Sequence, residues 1–122
     1  FTLAELLIVV AIIAVLVAIS IPIFTSQLEK SREAVDLANI RTAYAECSTA
    51  VLTGEPNDES VKIDGTGYKK EVTLVQTVKG WTGDNANAEI GGKIASTFAP
   101  TDKNQTTTVK VDADGTVTIT TN

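Results

Sequence analysis

The chain has 122 residues, enough for about one domain, and its ten basic and fifteen acidic residues leave a net charge of −5. That balance argues against nucleic-acid binding, which needs a basic footprint. With no histidine and a single cysteine, Cys47, one chain can assemble neither a Cys/His zinc site, nor a Ser/His/Asp triad, nor an internal disulfide.

The carboxylates form no catalytic pattern, so the chain reads as non-enzymatic, with no cofactor and no metal. It opens on FTLAELLIVV, and after Glu5 the next charge is Glu29. Residues 6–24 are therefore an uncharged run whose only polar side chain is Ser20. A run of about 18 or more such residues suits a transmembrane helix. It is longer than the roughly 7 to 15 apolar residues of a signal peptide, and no basic residue stands before it. Pro22 cannot donate to the Ala18 carbonyl and its ring presses on it, which predicts a kink or loosening of the helix over residues 18–22. Ser20, bonding back to the Leu16 carbonyl, softens the same turn.

Beyond Phe24 the pattern becomes amphipathic. Leu37, Ile40, Tyr44, Cys47 and Val51 recur at helical spacing, with Val35 and Ala38 beside them, and predict one buried face. Glu29, Lys30, Arg32, Glu33 and Asp36 are expected on the wet side. Gly54 suits a left-handed cap and Pro56 follows, so the helix should stop near Thr53. A helix of roughly fifty residues is about 75 to 80 Å long, far more than a membrane is thick.

The remainder reads as β-structure. TTTVKVDADGTVTITTN alternates Val109 and Val111 with Thr108 and Lys110, turns at residues 112–115, and alternates Val117 and Ile119 with Thr118 and Thr120, which predicts a hairpin with one apolar face. Residues 71–78 predict a further strand, although Val72, Val75 and Lys79 would also suit a helix, and residues 93–98 predict another, while TGDNANAEIGGK reads as an irregular loop. The DADGT stretch has too few carboxylates for a calcium loop and is read as the hairpin turn. The pairs Asp84 with Asn85 and Asp58 with Glu59 are read as solvated, and Cys47 as a small core residue.

The expected fold is α+β: a long N-terminal helix, with an apolar half at residues 1–24 and an amphipathic half at about 25–53, packed on a small antiparallel sheet within about 60–122. Residues 25–122 are expected to form a head that folds by itself, because a disulfide-free remainder completes its core only under the helical stripe. Trp81, Tyr68 and Phe98 are the candidates to fill that core.

Glu5 is costly so close to an apolar span: an acidic residue at the centre of such a helix costs about 2.5 to 3.5 kcal/mol, and less toward its ends. Two readings stand. Glu5 complements the macrodipole at a helix start, or it awaits a cation from another subunit, and the only cation near this end is the α-amino group of Phe1.

The segment FTLAELLIVVAIIAVLVAISIPIF, with its initial Phe1, Thr2, Leu3, Glu5, the uncharged run and Pro22, closely resembles the N-terminal segment of mature type IV pilins and pseudopilins. The resemblance is tight over about the first 24 residues, loose over the amphipathic helix, and architectural beyond. It implies a leader cut off before Phe1 by a prepilin peptidase, N-methylation of Phe1, and a subunit held in the cytoplasmic membrane. It further implies export by a pilus assembly machinery into a homopolymer on the bacterial surface. Glu5 would then pair with the Phe1 amine of a neighbouring copy, and Pro22 would mark a helix break in the filament. Ala14 stands where many relatives have glycine, and the single cysteine forbids the C-terminal disulfide common among them. The expected function is a major pilin-like structural subunit, serving adhesion, motility or DNA uptake. The alternatives are a pseudopilin of a type II secretion or competence machine, and a monomeric membrane-anchored binding module.

Overall fold

The computed structural model describes every residue from Phe1 to Asn122. One helix, α1 (Leu3–Thr53), is followed by six strands: β1 (Val61–Asp64), β2 (Gly67–Thr73), β3 (Glu89–Ile90), β4 (Lys93–Ile94), β5 (Thr106–Val111) and β6 (Val117–Thr121). Short 3-10 turns occupy Gly83–Asn87 and Ala95–Phe98. The 51 residues of α1 make it about 77 Å long at roughly 1.5 Å per residue.

Both ends of α1 are sealed by local chemistry. Thr2 is the N-cap, its hydroxyl accepting from the Glu5 N–H and its own N–H donating to the Glu5 carboxylate, a reciprocal capping box. At the other end Gly54 takes φ +82° and returns its N–H to the Ala50 carbonyl, a conformation that lacks steric cost only for glycine. The helix runs through Pro22 in the single subunit. Ser20 does donate to the Leu16 carbonyl, at 2.7 Å.

The main sheet is antiparallel in the order β1-β2-β5-β6. Its hairpins close at residues 64–67 and 112–116, with Gly115 in a left-handed conformation in the second turn. Gly67 is required by the close approach of β5: a Cβ there would lie 2.1 Å from the Val111 carbonyl oxygen. One face of the sheet lies on α1 and supplies Val61, Val72, Thr107, Val109, Val111 and Ile119 to the core. From α1 come Leu37, Ile40, Ala43, Cys47 and Ala50. Trp81 and Phe98 close one end with their rings edge to face at 6.3 Å, and the Trp81 indole donates to the Ala95 carbonyl. Tyr68 is half-buried and donates to the Gly54 carbonyl at the other end.

Several expectations are corrected. The strand expected at residues 71–78 begins earlier and ends at Thr73. Residues 93–98 form a two-residue strand and a 3-10 turn. The loop at residues 82–93 contains the other 3-10 turn and the tight β3–β4 pair. Val35 and Ala38 face away from the sheet and are exposed. Above all, Glu29, Glu33 and Asp36 are buried rather than wet.

The reason is a clamp. Glu29, Glu33 and Asp36 are spaced four and three apart, in phase with Ile40, Ala43 and Cys47, so the sheet-facing stripe carries carboxylates over its first turns. After Thr73 the chain leaves the sheet, and its N–H groups turn to these carboxylates. Asp36 accepts from Val75 and Gln76, both at 2.9 Å, and Glu29 accepts from Thr77 and Val78. Glu33 accepts from the Thr82 N–H and hydroxyl and from the Asn85 amide. Side chains thus take the place of a neighbouring strand, which satisfies backbone donors that burial would otherwise make costly.

Candidate functional site

The residues singled out for function lie in the first half of α1. Phe1, Glu5 and Pro22 are all exposed, and the structure brings none of them together with the head. Within the capping box Glu5 uses only Oε2, which accepts the Thr2 N–H at 2.8 Å; Oε1 receives no donor from its own chain. The Phe1 amine forms no ion pair with any carboxylate of its own chain. The helix-start role of Glu5 is therefore present in the single subunit, and it leaves one carboxylate oxygen and one amine open.

Above the cap, no residue of α1 up to Leu28 is buried. This is the one helix long and apolar enough to cross a membrane. Its apolar character is all-round here, and a helix of that kind needs lipid or other helices on every side.

One stripe of this surface does not stop where the head begins. Leu3, Leu7, Val10, Ala14, Val17, Ile21 and Phe24 alternate steps of four and three. Leu28, Ser31, Val35, Ala38, Thr42, Ala45, Thr49 and Leu52 continue the alternation without interruption. Every one of these positions is exposed and none carries a charge. In the upper half the stripe lies roughly 150° around α1 from the sheet-facing residues, at 3.6 residues per turn. A strict seven-residue repeat of this type drifts by about 20° per heptad on a straight helix and follows a left-handed supercoil when it meets another helix. Leu28, Val35, Ala38 and Leu52 are not marked by the sheet-facing periodicity, because Val35 and Ala38 lie next to that stripe in sequence. The signal that finds them is the charge-free alternation itself, carried across the apolar boundary.

The clamp and the lone thiol are the remaining chemically distinctive groups. Burial raises the Glu29 carboxyl, but the Thr77 hydroxyl, the Val78 and Thr77 N–H groups and Arg32 outweigh it and hold Glu29 below its ordinary value. At Asp36 burial wins over the two backbone bonds, with the charges of Glu29 and Glu33 adding to it, and the carboxyl is raised. Burial, helped by the Glu46 charge and opposed by Lys70, pushes the Cys47 thiol up to about 11. Cys47 also rests against the Val109 carbonyl, so it is a core group as expected and a poor nucleophile. No cluster of His, Cys, Asp or Glu side chains has the geometry to hold a metal ion. The DADGT stretch is a hairpin turn in which Asp114 accepts from the Thr116 N–H and Asp112 pairs with Lys110.

The most extended feature of the chain is thus the uncharged, exposed stripe of α1. A comparison with models of known protein families and with curated protein sequences finds no match to this chain.

Proposed function

We propose that the chain is the structural subunit of a type IV pilus-like extracellular filament, stored in the membrane through residues 1–24 and polymerised through α1. The observation that carries this reading is the extent of the uncharged stripe. A bilayer core about 30 Å thick accounts for roughly 20 helical residues. Lipid therefore explains the stripe up to about Phe24, whereas residues 28–52 continue it for a further 36 Å or about that, beside a folded head. A monomeric anchored module has no use for that continuation. A second copy of the helix does.

Filament growth is then an exchange of lipid contacts for helix contacts on the same surface. Glu5 supplies the register: its open Oε1 can meet the unpaired Phe1 amine of a neighbouring copy. Two such charges about 4 Å apart attract by roughly 4 kcal/mol at an effective dielectric near 20, before desolvation. Head-to-tail contacts whose rotation does not close a ring generate a helical fibre. The N-terminal resemblance adds the expected processing partners, a prepilin peptidase that exposes Phe1 for methylation and an assembly machinery that extracts the subunit. Pro22, helical in the single subunit, is the place where assembly can open the backbone.

The test is a charge in the upper stripe. Ala38→Glu lies outside any membrane and on the exposed face, so the purified chain should keep its circular dichroism and thermal midpoint, while sheared surface fibre should fall at least tenfold. Unchanged fibre yield from a correctly folded Ala38→Glu subunit would remove the stripe from the assembly surface and favour the anchored module.

A further inference from the structure

The clamp fixes which part of the head lies nearest the apolar half of α1. Thr77 and Val78 give their N–H groups to Glu29 at 2.9 and 3.0 Å, and Glu29 is the first buried residue along the helix. Residues 75–80 are therefore the foot of the head. Leu74 and Gln76 turn inward and are buried, whereas Val75 and Val78 are 52 % and 50 % exposed. Outside α1 the only other large hydrophobic side chains left exposed are Ile63 and Ile94. Lys79 follows Val78 and Lys30 follows Glu29, both exposed and neither in an ion pair. The acids at this level, Glu29, Glu33 and Asp36, are buried against the N–H groups they hold. Asp84 is exposed, but it lies on the turn held by Glu33, one helical turn farther from the apolar half. The loop joined through the Gly80 N–H and the Pro100 carbonyl adds Asp102 and Lys103, whose charges cancel.

The position of this foot along α1 is set by arithmetic. The uncharged run of residues 6–24 is about 28 Å long at roughly 1.5 Å per residue, close to the roughly 30 Å of bilayer hydrocarbon. Headgroups add about 5 to 7 Å on each side. Glu29 stands about 7.5 Å beyond Phe24 along the helix. With the run seated in hydrocarbon, the foot reaches the headgroup layer carrying two exposed valines and two unpaired lysines.

We propose that Val75, Val78, Lys79 and Lys30 form a docking surface for anionic phospholipid headgroups, which holds the head against the bilayer while the subunit is stored there. The lysine ammonium groups meet phosphate oxygens, and the valines cover apolar surface at the boundary with the acyl chains. A chain of net charge −5 is otherwise repelled by an anionic surface, so the contact depends on unpaired cations standing at the end nearest the lipid. This surface rests on the membrane-storage part of the reading above.

The experiment places the isotope-labelled full chain, one copy per disc, in lipid nanodiscs of phosphatidylcholine with or without phosphatidylglycerol, doped with a lipid that carries chelated gadolinium on its headgroup. Ile63 is the reference, an exposed residue that pairs with Tyr68 near Gly54 at the opposite end of the head. In anionic discs the Val75, Val78 and Lys79 amides should broaden severalfold more than the Ile63 amide. That excess should shrink without phosphatidylglycerol, and again in the double variant Lys30→Gln, Lys79→Gln, which removes no ion pair from the head. Equal broadening at Val78 and Ile63, or an excess indifferent to both the anionic lipid and the two lysines, would overturn the proposal. So would line changes that follow the number of chains per disc instead of the lipid, which would assign the face to a second copy. A nitroxide at the end of an acyl chain separates this proposal from the reading it rests on. Ile12 broadened by that nitroxide with the foot untouched by gadolinium overturns the docking surface alone, whereas a sharp Ile12 signal removes membrane storage as well.

Discussion

The two halves of α1 are one continuous helix with opposite fates. Below Leu28 no residue is buried; from Glu29 onward every third or fourth residue is, and Ile40, Ala43, Cys47 and Ala50 are fully so. Helix propensity does not separate them, because both halves are rich in alanine and aliphatic residues. What separates them is whether the rest of the chain offers a complementary face. The upper half meets the sheet through its apolar positions and the departing β2 segment through its carboxylates. The lower half meets nothing in its own chain, so its surface is complete only in lipid or against other helices.

Matched substitutions can break this comparison. Ile40→Ala removes a fully buried side chain at the centre of the core and should cost about 2 to 5 kcal/mol of head stability. Thermal or denaturant unfolding in detergent reads this directly. Next in size is the clamp: Glu33→Ala leaves the Thr82 N–H and the Asn85 amide without their acceptor and should cost about 1 to 3 kcal/mol, with faster amide exchange around Thr82. Smallest is Ile12→Ala, the same chemical change as at Ile40 made on a side chain 55 % exposed; it should leave head stability within about 0.5 kcal/mol. Comparable losses at Ile12 and Ile40 would mean that the lower half is packed within its own chain, contrary to the division drawn above.

Much of the architecture was legible because local signals agreed with it. Gly54 and Pro56 mark the end of α1, the alternation around Asp112 and Gly115 marks the β5–β6 hairpin, and the Leu37, Ile40 and Cys47 spacing marks the buried face. The clamp was not, because charged residues were read as solvated regardless of phase. Glu29, Glu33 and Asp36 sit in register with Ile40, and that register decides their burial once the β2 strand leaves the sheet with its N–H groups unpaired. The early end of β2 has the same origin: nothing in LVQTV signals that its donors go to carboxylates about forty residues earlier. Thr2 followed three residues later by Glu5 is a capping-box spacing, and it gives the helix-start role of Glu5 a specific hydrogen-bond form beyond the macrodipole. Pro22 removes one hydrogen bond from α1, and the residues on either side of it remain helical.

Glu5 is where the local and the intermolecular roles can be separated cleanly. Glutamine at the third helical position still serves a capping box, so Glu5→Gln keeps the bond from the Thr2 N–H and the helix start while removing only the charge. Insertion and head folding should therefore be unchanged. A Phe1 amine brought into an apolar bundle without its counter-charge should cost about 3 to 5 kcal/mol, the usual loss when one partner of a buried pair is removed. The deciding measurement is the ratio of sheared surface fibre to membrane-held subunit for Glu5→Gln against the unaltered chain. We predict a fall of at least tenfold with the membrane-held pool intact; an unchanged ratio would contradict the account and leave Glu5 as a helix cap alone.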